Sequence, residues 1–274
     1  MNIGVFDSGL GGLSILSHIV SSMPQYNFVY LGDNARAPYG DRSQNLIYEF
    51  TLQGVEFLFK QDCHLVILAC NSASAFALRK IQQEWLPLHY PNRRVLGIII
   101  PVVEYASLLV TKSKKPLRLA LIGTRATVQS QVYEKEFAKR STISISLLSQ
   151  SCPLLVPLIE EGWMKEAPFR MILKKYLRTL KQKQVNALIL GCTHYPLVKK
   201  IIAEIMGKRV SLIDPGPVVA RSLKEYLSRH SEHESLLSKN GLIHFYTTDT
   251  SDRTPSLASK FWGKPISVKK ISLE

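Results

Sequence analysis

Cysteine is scarce: only Cys63, Cys70, Cys152 and Cys192 occur in 274 residues. Four are too few for a disulfide framework, and no C-x-x-C pair suggests zinc, so reduced thiols and no metal are expected. Long apolar runs are missing as well. None approaches the roughly 18 residues of a membrane span. The N-terminus reaches Asp7 before a secretory hydrophobic region can form. A cytoplasmic chain without membrane association is therefore expected. Charged residues make up 20% and hydrophobic residues 46%, which implies a packed fold with little extended disorder. No recognition helix, zinc finger or interleaved aromatic motif accompanies the formal charge of +14. Its cations lie in scattered clusters, such as Lys112-Ser113-Lys114-Lys115, Lys174-Lys175, Lys199-Lys200 and Lys269-Lys270, not in one footprint.

What the chain has is alternation. Short apolar runs separated by longer amphipathic ones predict an α/β fold built on parallel sheets. Strands are expected at 3–6, 28–31, 65–69, 95–98, 117–122, 143–147, 187–190, 210–213 and 242–246. The halves resemble each other: Asp7-Ser8-Gly9 and Gly123-Thr124 each follow a strand, and so do Ala69-Cys70-Asn71-Ser72 and Gly191-Cys192-Thr193-His194. Ligands of open parallel sheets bind beyond the carboxyl ends of the strands. Two similar parallel-sheet domains facing each other would gather these four loops in the cleft between them. Pro101 and Asp214-Pro215-Gly216-Pro217 suggest the crossings. One domain then comprises 1–98 plus 210–274, and the other 99–209.

Cys70 and Cys192 each follow a buried strand near an expected helix start, where backbone N–H groups stabilise anions. An unperturbed thiol, with a pKa of about 8.5, is only slightly ionised at neutral pH, so such a site would usefully activate it. A lone cysteine is more often a small core residue. Matched placement in two similar halves favours function for this pair, whereas Cys63 and Cys152 lack it and are expected in the core. Two acid–base groups bracketing one carbon suit its inversion: a thiolate removes a proton from one face and a thiol returns one to the other. Polar neighbours would stabilise the developing charge.

These residues belong to a longer ordered set. It runs through Gly4-Val5-Phe6-Asp7-Ser8-Gly9-Leu10-Gly11-Gly12, Tyr30-Leu31-Gly32-Asp33, Pro38-Tyr39-Gly40 and Ala69-Cys70-Asn71-Ser72-Ala73-Ser74. It continues with Leu121-Ile122-Gly123-Thr124, Val156-Pro157-Leu158-Ile159-Glu160-Glu161-Gly162 and Leu190-Gly191-Cys192-Thr193-His194-Tyr195-Pro196-Leu197. Over nearly its whole length the chain resembles the bacterial glutamate racemases of the aspartate/glutamate racemase superfamily. The resemblance implies interconversion of L- and D-glutamate for peptidoglycan without pyridoxal phosphate, metal or other cofactor, and a homodimer. It implies Cys70 and Cys192 as the catalytic thiols, assisted by Asp7 and His194. It further implies substrate contacts at Asp7-Ser8, Tyr39-Gly40, Asn71-Ser72 and Thr193-His194. One carboxylate of the Glu160-Glu161 pair matches a further active-site acid, taken here as Glu160.

Ser72 stands where the family commonly has threonine, keeping the hydroxyl but losing a rotation-restricting methyl. Ala126 replaces a frequent glycine. Some members carry an N-terminal extension tied to activation by a cell-wall precursor; here the first strand starts at once, so such regulation is not expected. Related aspartate racemases commonly place glutamate at the position of His194, so histidine favours glutamate as substrate over aspartate. Gly9, Gly11 and Gly12 suggest a dinucleotide enzyme, but their spacing is not G-x-G-x-x-G. A nucleic-acid or gyrase interaction is compatible with the basic charge and has no motif behind it.

Overall fold

The computed structural model describes residues 1–113, 117–141 and 145–273. Its strands, all paired in parallel, form two sheets. The first sheet contains β1 (Asn2–Asp7), β2 (Phe28–Gly32), β3 (Cys63–Leu68), β4 (Arg94–Gly97), β9 (Ile243–Thr247) and β10 (Lys269–Lys270), in the order β10-β9-β2-β1-β3-β4. The second contains β5 (Leu119–Gly123), β6 (Leu147–Ser151), β7 (Ala187–Gly191) and β8 (Ser211–Ile213), in the order β6-β5-β7-β8. The molecule thus comprises the two parallel-sheet α/β domains expected from its sequence.

Helices cover both faces of each sheet, which is why the strands are apolar nearly throughout. On β1, Ile3 and Val5 enter one buried cluster and Phe6 another. On β5, Ala120 and Ile122 share the cluster of Ile3, while Leu119 and Leu121 face a third. This period of two is the geometry of a strand. The cluster of Ile3 is common to both sheets, joined by helices Leu13–Ser22, Ala167–Gln182 and Pro215–Arg229. Fully burying one such side chain contributes about 1.5–3 kcal/mol, so the shared core ties the halves strongly.

The chain leaves the first sheet after β4 through helix Ile99–Lys112, with Pro101 in its opening turn. It returns after β8 through helix Pro215–Arg229, where Asp214 Oδ1 accepts from the N–H of Gly216 and Pro215 supplies a preset φ. Strand β8 pairs with β7 in the second sheet, although the expected first-domain segment starts at 210. By strand pairing, the second sheet extends to Ile213.

Two other expectations shift. The strand expected at 143–147 is found at Leu147–Ser151, in register with β5 from Leu119↔Leu147 to Gly123↔Ser151; residues 142–144 lie outside the described residues. It is a half-buried edge, so its polar Ser-Gln-Ser end carries no apolar signal. Strand β10 was not expected, because Lys269 and Lys270 are exposed on the opposite sheet's edge. Of the Lys112–Lys115 cluster, Lys114 and Lys115 lie outside the described residues. Among the described residues, no helix is long and apolar enough to cross a membrane.

Candidate active site

The register places the site. β1 and β3 are neighbours, as are β5 and β7, and each pair ends level: Phe6 lies beside Leu68, and Gly123 beside Gly191. Their carboxyl ends deliver Asp7-Ser8 and Cys70-Asn71-Ser72 from one sheet, and Thr124 and Cys192-Thr193-His194 from the other. Both thiols line a single narrow cavity of about 30 Å³. Ser8, Asn71 and Ser72 line it from the first domain, and Glu160, Thr193 and His194 from the second.

Cys70 caps helix Asn71–Phe76, accepting from the N–H of Ala73 at 3.5 Å and donating to Ser8 Oγ at 3.3 Å. Burial pushes this thiol up to about 12; the charge of Asp7 adds to the rise, while the Ser8 hydroxyl and Ala73 N–H oppose it. Cys192 is not the matching cap. It precedes a 3-10 turn at Tyr195–Val198 and accepts at its carbonyl from the N–H of Tyr195. Its sulfur instead has a side-chain partner, His194 Nδ1 at 3.9 Å.

His194 links Cys192 to Glu160, whose Oε1 lies 2.8 Å from Nε2. Burial disfavours the imidazolium, but the hydrogen bonds and charges of Cys192 and Glu160 outweigh it and raise the pKa to about 10. Phe261, from helix Thr254–Trp262, presses edge-on against the ring at 5.0 Å between centroids. Glu161 points elsewhere, pairing with Arg253 on the surface. Geometry therefore distinguishes the two acids: Glu160 faces the cavity and Glu161 does not.

Asp7, Tyr39 and Gly40 do not line the cavity. Asp7 is fully buried behind it, with Oδ2 accepting from the N–H groups of Gly9 and Gly12 and Oδ1 accepting from Thr193 Oγ1 at 3.5 Å. Burial raises its pKa against the lowering effect of His194 and those N–H groups. Tyr39 is also buried, and its hydroxyl donates to Asp33. The cavity wall at this loop is Ala37-Pro38 instead. Cys63 and Cys152 sit in the core, their thiols pushed up by burial.

Close packing explains Gly11 and Gly12 in the glycine run after β1. A Cβ on Gly11 would stand 2.4 Å from Thr193 Oγ1 and 2.6 Å from His194 Nδ1, so only glycine lets this turn meet the opposite domain. The Gly123-Thr124 loop is expected at the cleft, but Thr124 is not among the expected site residues; its hydroxyl pairs with that of Ser72 at 3.0 Å across the cavity. Its signal was present, since a strand ending in Gly-Thr mirrors the strand ending in Asp-Ser. Phe261 gave no signal, being an ordinary apolar residue of a distant helix.

Comparisons with known proteins point to one family. The family model described as Asp/Glu/Hydantoin racemase matches residues 5–223. The chain is 40% identical over 274 residues to a glutamate racemase of Paracoccus denitrificans, covering 97% of this chain and 98% of that protein. Among solved structures, a Bacillus anthracis glutamate racemase isoform superposes with a TM-score of 0.87 at 33% identity, covering 99% of this chain and 97% of the other. A Francisella tularensis glutamate racemase in complex with D-glutamate gives 0.86 at 34% identity, covering 100% and 98%.

Proposed function

Because this chain belongs to the Asp/Glu/Hydantoin racemase family, we propose that it interconverts L- and D-glutamate by proton transfer between Cys70 and Cys192. The class of reaction follows from the family: the chain is an amino-acid racemase. The observation that carries the finer reading is the cavity lined by two thiols from different sheets. One sulfur, as thiolate, takes the α-proton from one face, while the other, as thiol, supplies a proton to the opposite face. The C–H bonding pair becomes the carbanion pair and then forms the new C–H bond. Afterwards the second sulfur is the thiolate, ready for the reverse direction.

Proton transfer by a positioned group contributes about 10²–10⁴-fold, and preorganised donors must supply much of the remainder. The surrounding residues support this reading. Asn71 presents a buried Nδ2 with no hydrogen-bond partner, suited to a carboxylate. Burial is the main reason that Cys70 holds its proton, and a substrate ammonium would offset the Asp7 charge that adds to it. At the other thiol, an imidazolium at His194 gives a Cys192 thiolate a charge-assisted partner, and Glu160 holds that ring in place.

The proposed reaction uses no pyridoxal phosphate, metal or other cofactor. Its product serves peptidoglycan synthesis in the cytoplasm, and the working form is a homodimer, as the family resemblance implies. Purified protein is expected to racemise glutamate from either enantiomer and to turn over aspartate far more slowly. Cys70→Ala and Cys192→Ala should each lower racemisation by at least about 10²-fold with circular dichroism and Tm nearly unchanged. Preference for aspartate would overturn the substrate assignment, and wild-type turnover in either variant would overturn the two-thiol mechanism.

A further inference from the structure

The two ends of the Asn71 amide have different surroundings. Oδ1 accepts a 2.8 Å hydrogen bond from the Tyr133 hydroxyl, whereas Nδ2 is buried and has no partner. Asn71 is 3% exposed and lines the cavity, while Tyr133 is fully buried on helix Val132–Arg140 of the other domain. Among the described residues, Asn71 is the sole hydrogen-bond partner of this phenol.

Burial, with the charge of Cys192 adding to it, raises the Tyr133 pKa, so the hydroxyl retains its proton. That proton needs an acceptor, and Asn71 Oδ1 is the one within reach. Turning the amide over would set NH₂ against the phenol. The phenolic hydrogen would then lose its acceptor, and the cavity would receive a carbonyl oxygen, which repels carboxylates. The orientation that satisfies Tyr133 is also the one that leaves a donor for an incoming anion.

We propose that Tyr133 is a positioning residue that fixes the Asn71 amide so that Nδ2 can bind a carboxylate of the amino-acid substrate. The inference rests on reading this cavity as the substrate site. Tyr133 itself need not touch substrate; it acts through Asn71, from the opposite side of the domain interface.

A double-mutant cycle tests the coupling. Tyr133→Phe keeps the ring and removes the donor, so KM for glutamate and the Kd for D-glutamate should rise about tenfold. The kcat should change much less, because a carboxylate contact is made in ground and transition states alike. Asn71→Ala should weaken binding at least as much, and Tyr133→Phe should add nothing in that background. Independent, multiplying effects would overturn the positioning role while leaving the substrate site intact. Unchanged KM and Kd in Asn71→Ala would overturn both the positioning role and the substrate contact at Asn71. A crystal structure with D-glutamate provides a readout that does not depend on a variant folding. It should show the Tyr133–Asn71 bond retained and a substrate carboxylate oxygen on Nδ2; a carboxylate bound away from Asn71 would contradict the proposal.

Discussion

His194 is held protonated by partners on both ring nitrogens, and its titration can be predicted in sign. Its folded pKa of about 10 lies above the roughly 6.5 of an unperturbed imidazole. The stability it contributes is therefore whole below about pH 6.5 and is lost as pH rises through about 10. The Tm difference between the protein and His194→Gln should shrink over that window, and an NMR titration of the Glu160→Gln variant should show the His194 midpoint moving down. Glu160 is partly exposed, so solvent screens the pair and limits the stability effect; an unmoved midpoint would contradict the role assigned to Glu160. At this scale the sequence exposed Cys70, Cys192 and His194, because each follows a strand in a recognisable loop. It could not show which way a loop side chain turns. Asp7 and Tyr39, expected as substrate contacts, therefore lie outside the cavity lining, and Glu160 is separated from Glu161 only by the helix that ends between them.

Among elements, the strands with two buried faces were easy to locate, since Val66, Ile67 and Leu68 or Leu188, Ile189 and Leu190 have no polar alternation to blur their ends. Edge strands were not: β6 and β10 are fixed by register with a neighbour, which local sequence does not encode. The 3-10 turn at Tyr39–Asp41 shows how one element constrains another. A Cβ on Gly40 would fall 2.7 Å from Thr124 Cβ, and Thr124 is tethered through its hydroxyl to Ser72 and Thr127. Gly40→Ala should push the two loops apart, costing about 1–3 kcal/mol of stability. The expected readouts are a lower Tm and weaker D-glutamate binding; an unchanged Kd would mean that this contact does not shape the cavity.

For the whole molecule, the essential relation is between two sheets that each end one adjacent strand pair at the same cavity. That symmetry was legible as similar halves, while the shared core joining them was not, because long-range packing of helices Leu13–Ser22 and Pro215–Arg229 leaves no local mark. The high positive charge fixes neither fold nor chemistry; the proposed reaction rests on the cavity. Its central claim, that different groups remove and return the proton, is tested most directly by racemising protiated D-glutamate in deuterium oxide and analysing both enantiomers at low conversion. Two thiols predict L-glutamate carrying deuterium at the α-carbon while the remaining D-glutamate stays protiated. Protium transferred from substrate to product, or equal early labelling of both enantiomers, would contradict the account.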